Sequence, residues 1–97
     1  MSYAEYVREE QRLVLIRLLH EMPKYQSNSS LLTTGMAQFG LAMTRDQVRT
    51  ELNWLAEQGC VSLQEAGSVV VATLTDRGAD AATGMAKIHG IKRPSAK

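Results

Sequence analysis

Apolar residues along the chain change spacing partway, and that change divides it into elements. Over residues 3–22, Val7, Val14, Leu15, Leu18, Leu19 and Met22 fall on one broad stripe at helical spacing, which predicts a first helix. Leu13 and Ile16 lie well round from that stripe. A helix that is apolar on more than one side needs a second surface to bury against. Two sources are open: the rest of the domain wraps the end of the helix, or a second copy meets Leu13 and Ile16 in a homodimer. Met22-Pro23 ends the helix, because the residue before proline is pushed out of the α region.

KYQSNSS, residues 24–30, reads as a polar connector ending in good N-cap residues. A second helix is expected over 29–39, with Leu31, Leu32, Met36 and Phe39 inward and Gly40 as the stop. Gly35 inside it costs about 1 kcal/mol relative to alanine, which close packing of helices would justify. After the turn GLAM, Thr44 caps a third helix over 44–58, and Gln47 stands at the capping-box position. Val48, Leu52 and Leu55 line its inner face, and Gly59 ends it.

Beyond Gly59 the period becomes two. CVSLQE sets Val61 and Leu63 on one face, and SVVVATL is rich in β-branched residues. With EAGS between them they predict a β-hairpin turning at Gly67. A last helix starts at Thr75, with Asp76 near the positive end of its dipole, and Gly78 and Gly84 keep it short. The division expected is a domain over 1–86 and a basic, flexible tail over 87–97 that holds His89, Lys92, Arg93, Pro94 and Lys97.

Composition narrows the function classes. The chain has 97 residues, 44% of them hydrophobic and 22% charged, which suits one small globular domain. No apolar run is long enough for a membrane span, and the N-terminus lacks the basic-then-apolar order of a secretory signal. A cytoplasmic location is the expectation. The single cysteine, Cys60, excludes an intrachain disulfide and reads as a small buried apolar residue. His20 and His89 are isolated, so no metal site is expected, and no cofactor-binding motif is present. There is no glycine-rich phosphate loop and no nucleophile–base–acid set, so an enzyme is not expected. The net charge of +1 carries no sign of a polyanionic partner by itself.

The order helix, helix, turn, helix, strand, strand, helix is that of a winged helix-turn-helix, mainly α with a small β-hairpin (α+β). VRTELNWLAEQGCV fits the pattern L-x-x-L-x-x-x-G-x-V at Leu52, Leu55, Gly59 and Val61. ATLTDRG resembles the L-T-x-x-G element that closes the second wing strand in many winged-helix regulators. The whole chain is also similar to a small family from Mu-like phages and prophages. Its opening MSYAEYVREEQRLVLIRLL, the block TRDQVRTELNWLAEQG and the KRP of its tail carry that similarity. The resemblance implies an ArsR-like winged-helix transcriptional regulator in the cytoplasm of a bacterial host. The cysteine pair of metal-sensing ArsR relatives is absent, because Cys60 stands alone after the helix.

A third helix lying in a major groove would present a face centred on Asp46, Arg49, Thr50 and Asn53, with Arg45 and Gln47 at its margins. Arginine pairs with guanine, and asparagine or glutamine with adenine. Thr44 and Arg45 at the helix start suit phosphate. The candidate set for double-stranded DNA is therefore Thr44, Arg45, Gln47, Arg49, Thr50 and Asn53. A two-fold dimer would set two such helices roughly 34 Å apart. Against this, the wing tip Glu65-Ala66-Gly67-Ser68 offers no cation. The competing reading makes Arg45, Asp46, Arg49 and Glu51 a solvated face of local charge pairs. The protein would then bind a phage or host protein in assembly or host takeover, with Trp54 either a core flank or an interface anchor.

Overall fold

In the computed structural model, residues 2–95 are described; Lys97, counted above with the basic tail, lies outside them. The elements run α1 (Tyr3–Glu21), a 3-10 turn (Pro23–Tyr25), β1 (Gln26–Asn28), α2 (Ser29–Gln38), α3 (Arg45–Glu57), β2 (Val61–Ala66), β3 (Val69–Leu74) and α4 (Asp76–Thr83). This α+β arrangement, a helix-turn-helix followed by a hairpin wing, is a winged helix-turn-helix. No helix among the described residues is long and apolar enough to cross a membrane.

Local chemistry accounts for each boundary. Ser2 caps α1 in a reciprocal pair with Glu5, and accepting the Ser2 backbone N–H and hydroxyl bonds holds the Glu5 carboxyl below its ordinary pKa. Thr44 and Gln47 close the expected capping box at α3, with bonds of 3.0 and 2.9 Å. Thr75 caps α4 through the Gly78 N–H, and left-handed Gly84 ends it. The wing turns on the two residues Gly67-Ser68, with Gly67 at φ +62° as a tight hairpin of this length requires.

The expected connector holds a strand. β1 pairs antiparallel with β3, Ser27 opposite Ala72, so the sheet order is β1-β3-β2. Asn28 then caps α2 through the Leu31 N–H. Ser29 sets the rotation of that helix, because its buried hydroxyl accepts the Val70 N–H at 3.0 Å. Leu32 and Met36 consequently face inward. Leu31 and Phe39, expected inward, are 58% and 63% exposed. Gly35 sits where a Cβ would come within 3.1 Å of Leu18, so α1 and α2 do approach closely there.

Two expectations about α1 and the tail are corrected. Leu13 and Ile16 are buried inside the protomer, 2% and 0% exposed, and offer no surface to a second copy. They are covered because α1 packs against α2, β3 and α4, and because the C-terminal segment joins the same core. The boundary at residue 86 fails for the same reason. Ile88 and Ile91 are buried, Gly90 accepts a bond from Arg12, and Lys92 binds Glu10 at 2.8 Å. Residues 88–92 are a strap across α1 and belong to the domain body. The bond to Glu10 raises the Lys92 pKa above its ordinary value.

Candidate nucleic-acid interface

Val48, Leu52 and Leu55 anchor α3 in the core, which turns Asp46, Thr50, Asn53 and Glu57 outward along its opposite side. The wing flanks this face on one side and the N-terminal turns of α1 flank it on the other. Thr44, Arg45, Gln47, Thr50 and Asn53 are all exposed, and Arg49 is half-buried at the wing side. The structure therefore brings all six sequence-predicted residues to one surface.

Their engagement differs. The Thr44 hydroxyl and the Gln47 carbonyl oxygen are occupied by the helix cap. The Thr50 hydroxyl donates to the Asp46 carbonyl at 3.0 Å. Arg49 reaches across to the wing, donating to the Glu65 carboxylate at 3.2 Å and to the Ser68 carbonyl at 3.4 Å. Arg45 and Asn53 form no side-chain hydrogen bond or ion pair among the described residues. They are the two residues with every polar atom available to a partner.

The electrostatic picture shifts in two opposing ways. Glu51, read from the sequence as part of the charged outer face, is turned inward and 8% exposed. Its carboxylate accepts the Arg12 Nε–H at 2.7 Å, so it repels nothing outside. Glu65 works the other way by neutralising Arg49. The face with its wing tip then carries two cations, Arg45 and Arg49, against Asp46, Glu57 and Glu65. Neither pairing was legible, since 39 and 16 residues separate the partners and only the tertiary fold joins them.

Trp54 is a core flank. It packs against the hydrophobic core, Arg12 lies 3.8 Å from its ring centroid, and a Cβ on Gly90 would fall 2.7 Å from it. Cys60 is fully buried, and burial pushes its thiol pKa up, with Arg77 opposing.

Comparison with known proteins adds relatives to this geometry. No family model matches the chain. It is 38% identical over 90 residues to an uncharacterised protein, gp26, of Escherichia phage Mu, covering 93% of each. It is also 38% identical over 78 residues to an uncharacterised protein of Haemophilus influenzae, covering 79% of this chain and 76% of the relative. Among solved structures it is similar to Sco3205, a MarR family transcriptional regulator from Streptomyces coelicolor, in complex with DNA. The TM-score is 0.61 at 19% identity, over 79% of this chain and 50% of that one. The complex structure of hsRosR-S1 gives 0.60 at 20% identity, over 74% of this chain and 62% of that one. The chain thus spans half to about three-fifths of those solved proteins, and the likeness is one of fold.

Proposed function

Because the chain belongs to the family of phage Mu gp26, we propose that it is a phage- or prophage-encoded regulator that binds double-stranded DNA with α3 in the major groove. One observation carries this reading. The capped start and outer face of α3 stand open to solvent with Arg45 and Asn53 unengaged, and Arg49 joins that face to the wing tip. The fold shared with a regulator solved on DNA supports it. An ArsR-like placement within that fold rests on the sequence resemblance alone, and one solved neighbour is of the MarR family.

The roles follow from chemistry. Arg45 at the helix start reaches phosphate, Asn53 suits adenine N6/N7, and Arg49 is the guanine or phosphate contact once a phosphate competes with Glu65. The test is selection from random duplexes, followed by titration of the selected duplex between about 50 and 200 mM salt. Enrichment of one sequence and steep loss of affinity with salt support the reading. Binding no tighter than that of an unrelated protein of equal charge overturns it.

One observation favours a second reading. Two cations against three carboxylates across α3 and the wing make a surface that suits a protein better than a polyanion. On this reading the same face docks a phage or host protein, and Trp54, covered by Arg12 and Gly90, is not its anchor.

A further inference from the structure

The outward side of α1 is only partly covered by the described residues: Val14 is 9% exposed and joins the core and Glu10 binds Lys92, while Tyr3, Arg17 and Glu21 are exposed. Tyr3, Val7, Glu10, Val14, Arg17 and Glu21 follow one another at spacings of four and three, the row that faces a neighbouring helix in an antiparallel pair. In the first two turns Tyr3 is 81% and Tyr6 51% exposed, with Lys92 of the C-terminal strap 5.9 Å from the Tyr6 ring centroid. At the other end of the row lies an open hollow of about 200 Å³ lined by Glu10, Val14, Arg17, Leu18, Glu21 and Phe39. Phe39 at its edge is 63% exposed.

We propose that this row is the interface between two copies of the chain, paired antiparallel along α1, with Tyr3 and Tyr6 of each copy seated in the hollow beside Phe39 of the other. Plug and socket lie on one surface, with Tyr3 and the far rim of the hollow at Glu21 about 27 Å apart along a straight helix. A two-fold axis passing between Glu10 and Val14 brings each plug to the opposite socket, which is what a self-complementary interface requires. A different protein would have to supply both features in reverse order.

Charge agrees with the same operation. Arg17 and Glu21 make no ion pair within the chain among the described residues. The axis places the Tyr3 hydroxyl beside Glu21 of the second copy, and sets Arg17 within a turn of a Glu10 that its own Lys92 already binds. Area agrees as well. Burying Tyr3, Tyr6 and Phe39 from their present exposures removes roughly 300–500 Å² per copy. That is about half of the ~800 Å² each partner contributes to a standard interface. Leu18, Val7 and the polar rim extend it. This pairing replaces Leu13 and Ile16 as the dimer surface and does not depend on the DNA reading.

The experiment is sedimentation equilibrium of the full chain and its variants, without DNA. Wild type is expected to be dimeric. Phe39→Glu and the pair Tyr3→Ala/Tyr6→Ala should each weaken association roughly tenfold or more with unchanged circular dichroism. Met85→Glu, at an exposed site off the row, should leave it alone. Tyr3→Cys/Glu21→Cys should form a disulfide-linked dimer under air oxidation, since the two thiols of one helix are too far apart to meet. A monomeric wild type, a dimer indifferent to both α1–Phe39 variants, or a dimer that does not cross-link would each overturn the proposal.

Discussion

Glu51 of α3 and Arg12 of α1 form a bond of 2.7 Å while the same guanidinium covers the Trp54 ring at 3.8 Å from its centroid. One arginine thereby removes a carboxylate from the outer face of α3, shields the tryptophan and holds the C-terminal strap through the Gly90 carbonyl. Both partners are about nine-tenths buried at the side chain.

Removing one member of such a pair strands the other. Glu51→Ala should therefore destabilise the fold by on the order of 3 kcal/mol, read from urea unfolding followed by Trp54 fluorescence. A loss below about 0.5 kcal/mol, the range of exposed pairs, would show that the bond does not persist in solution.

Gly78 is required by contact. A Cβ there would lie 2.1 Å from the Cys60 carbonyl oxygen and 2.6 Å from Leu74. Gly78→Ala should cost about 3 kcal/mol or more, because both neighbours are held in the core. Gly67→Ala should cost less, since a Cβ there meets nothing and only the left-handed backbone opposes it. Thermal melts of the two variants rank them, and equal midpoints would contradict the packing described.

The Cys60 thiol should be inert in the folded protein, being fully buried with its pKa raised from 9.0 by burial. Since the folded pKa lies above the unfolded one, its contribution to stability is fully present below about pH 9 and is lost as pH rises through the folded value. Labelling with a disulfide reagent at neutral pH should proceed only as fast as the protein opens. Immediate stoichiometric labelling without denaturant would refute this.

How much of this was legible in the sequence depends on distance along the chain. The Thr44–Gln47 cap, the stop at Gly59, the Gly67-Ser68 turn and the Thr75 cap are local devices, and the structure reproduces all of them. β1 was missed because a three-residue polar strand has no periodicity of its own and exists only through β3. Helical spacing gave the phase of α1 but not the number of elements around it, so Leu13 and Ile16 looked available when Ile88 and Ile91 in fact help enclose them. The inward turn of Ser29 reversed the expectation for Leu31 in the same way. At the candidate interface the residue set was legible, but the ties Arg49–Glu65 and Arg12–Glu51, which decide its charge, were not.

The proposed role of α3 turns on Arg49 and the carboxylate that holds it. The measurement is affinity for a selected duplex as a function of salt, for wild type, Arg49→Ala and Glu65→Gln. Losing Arg49 should weaken binding and lower the salt slope by about one. Glu65→Gln should tighten binding roughly three- to tenfold and steepen the slope, because it frees one cation and removes one repelling charge. Binding that is the same in all three proteins, or weaker in Glu65→Gln than in wild type, would contradict a DNA contact through this face.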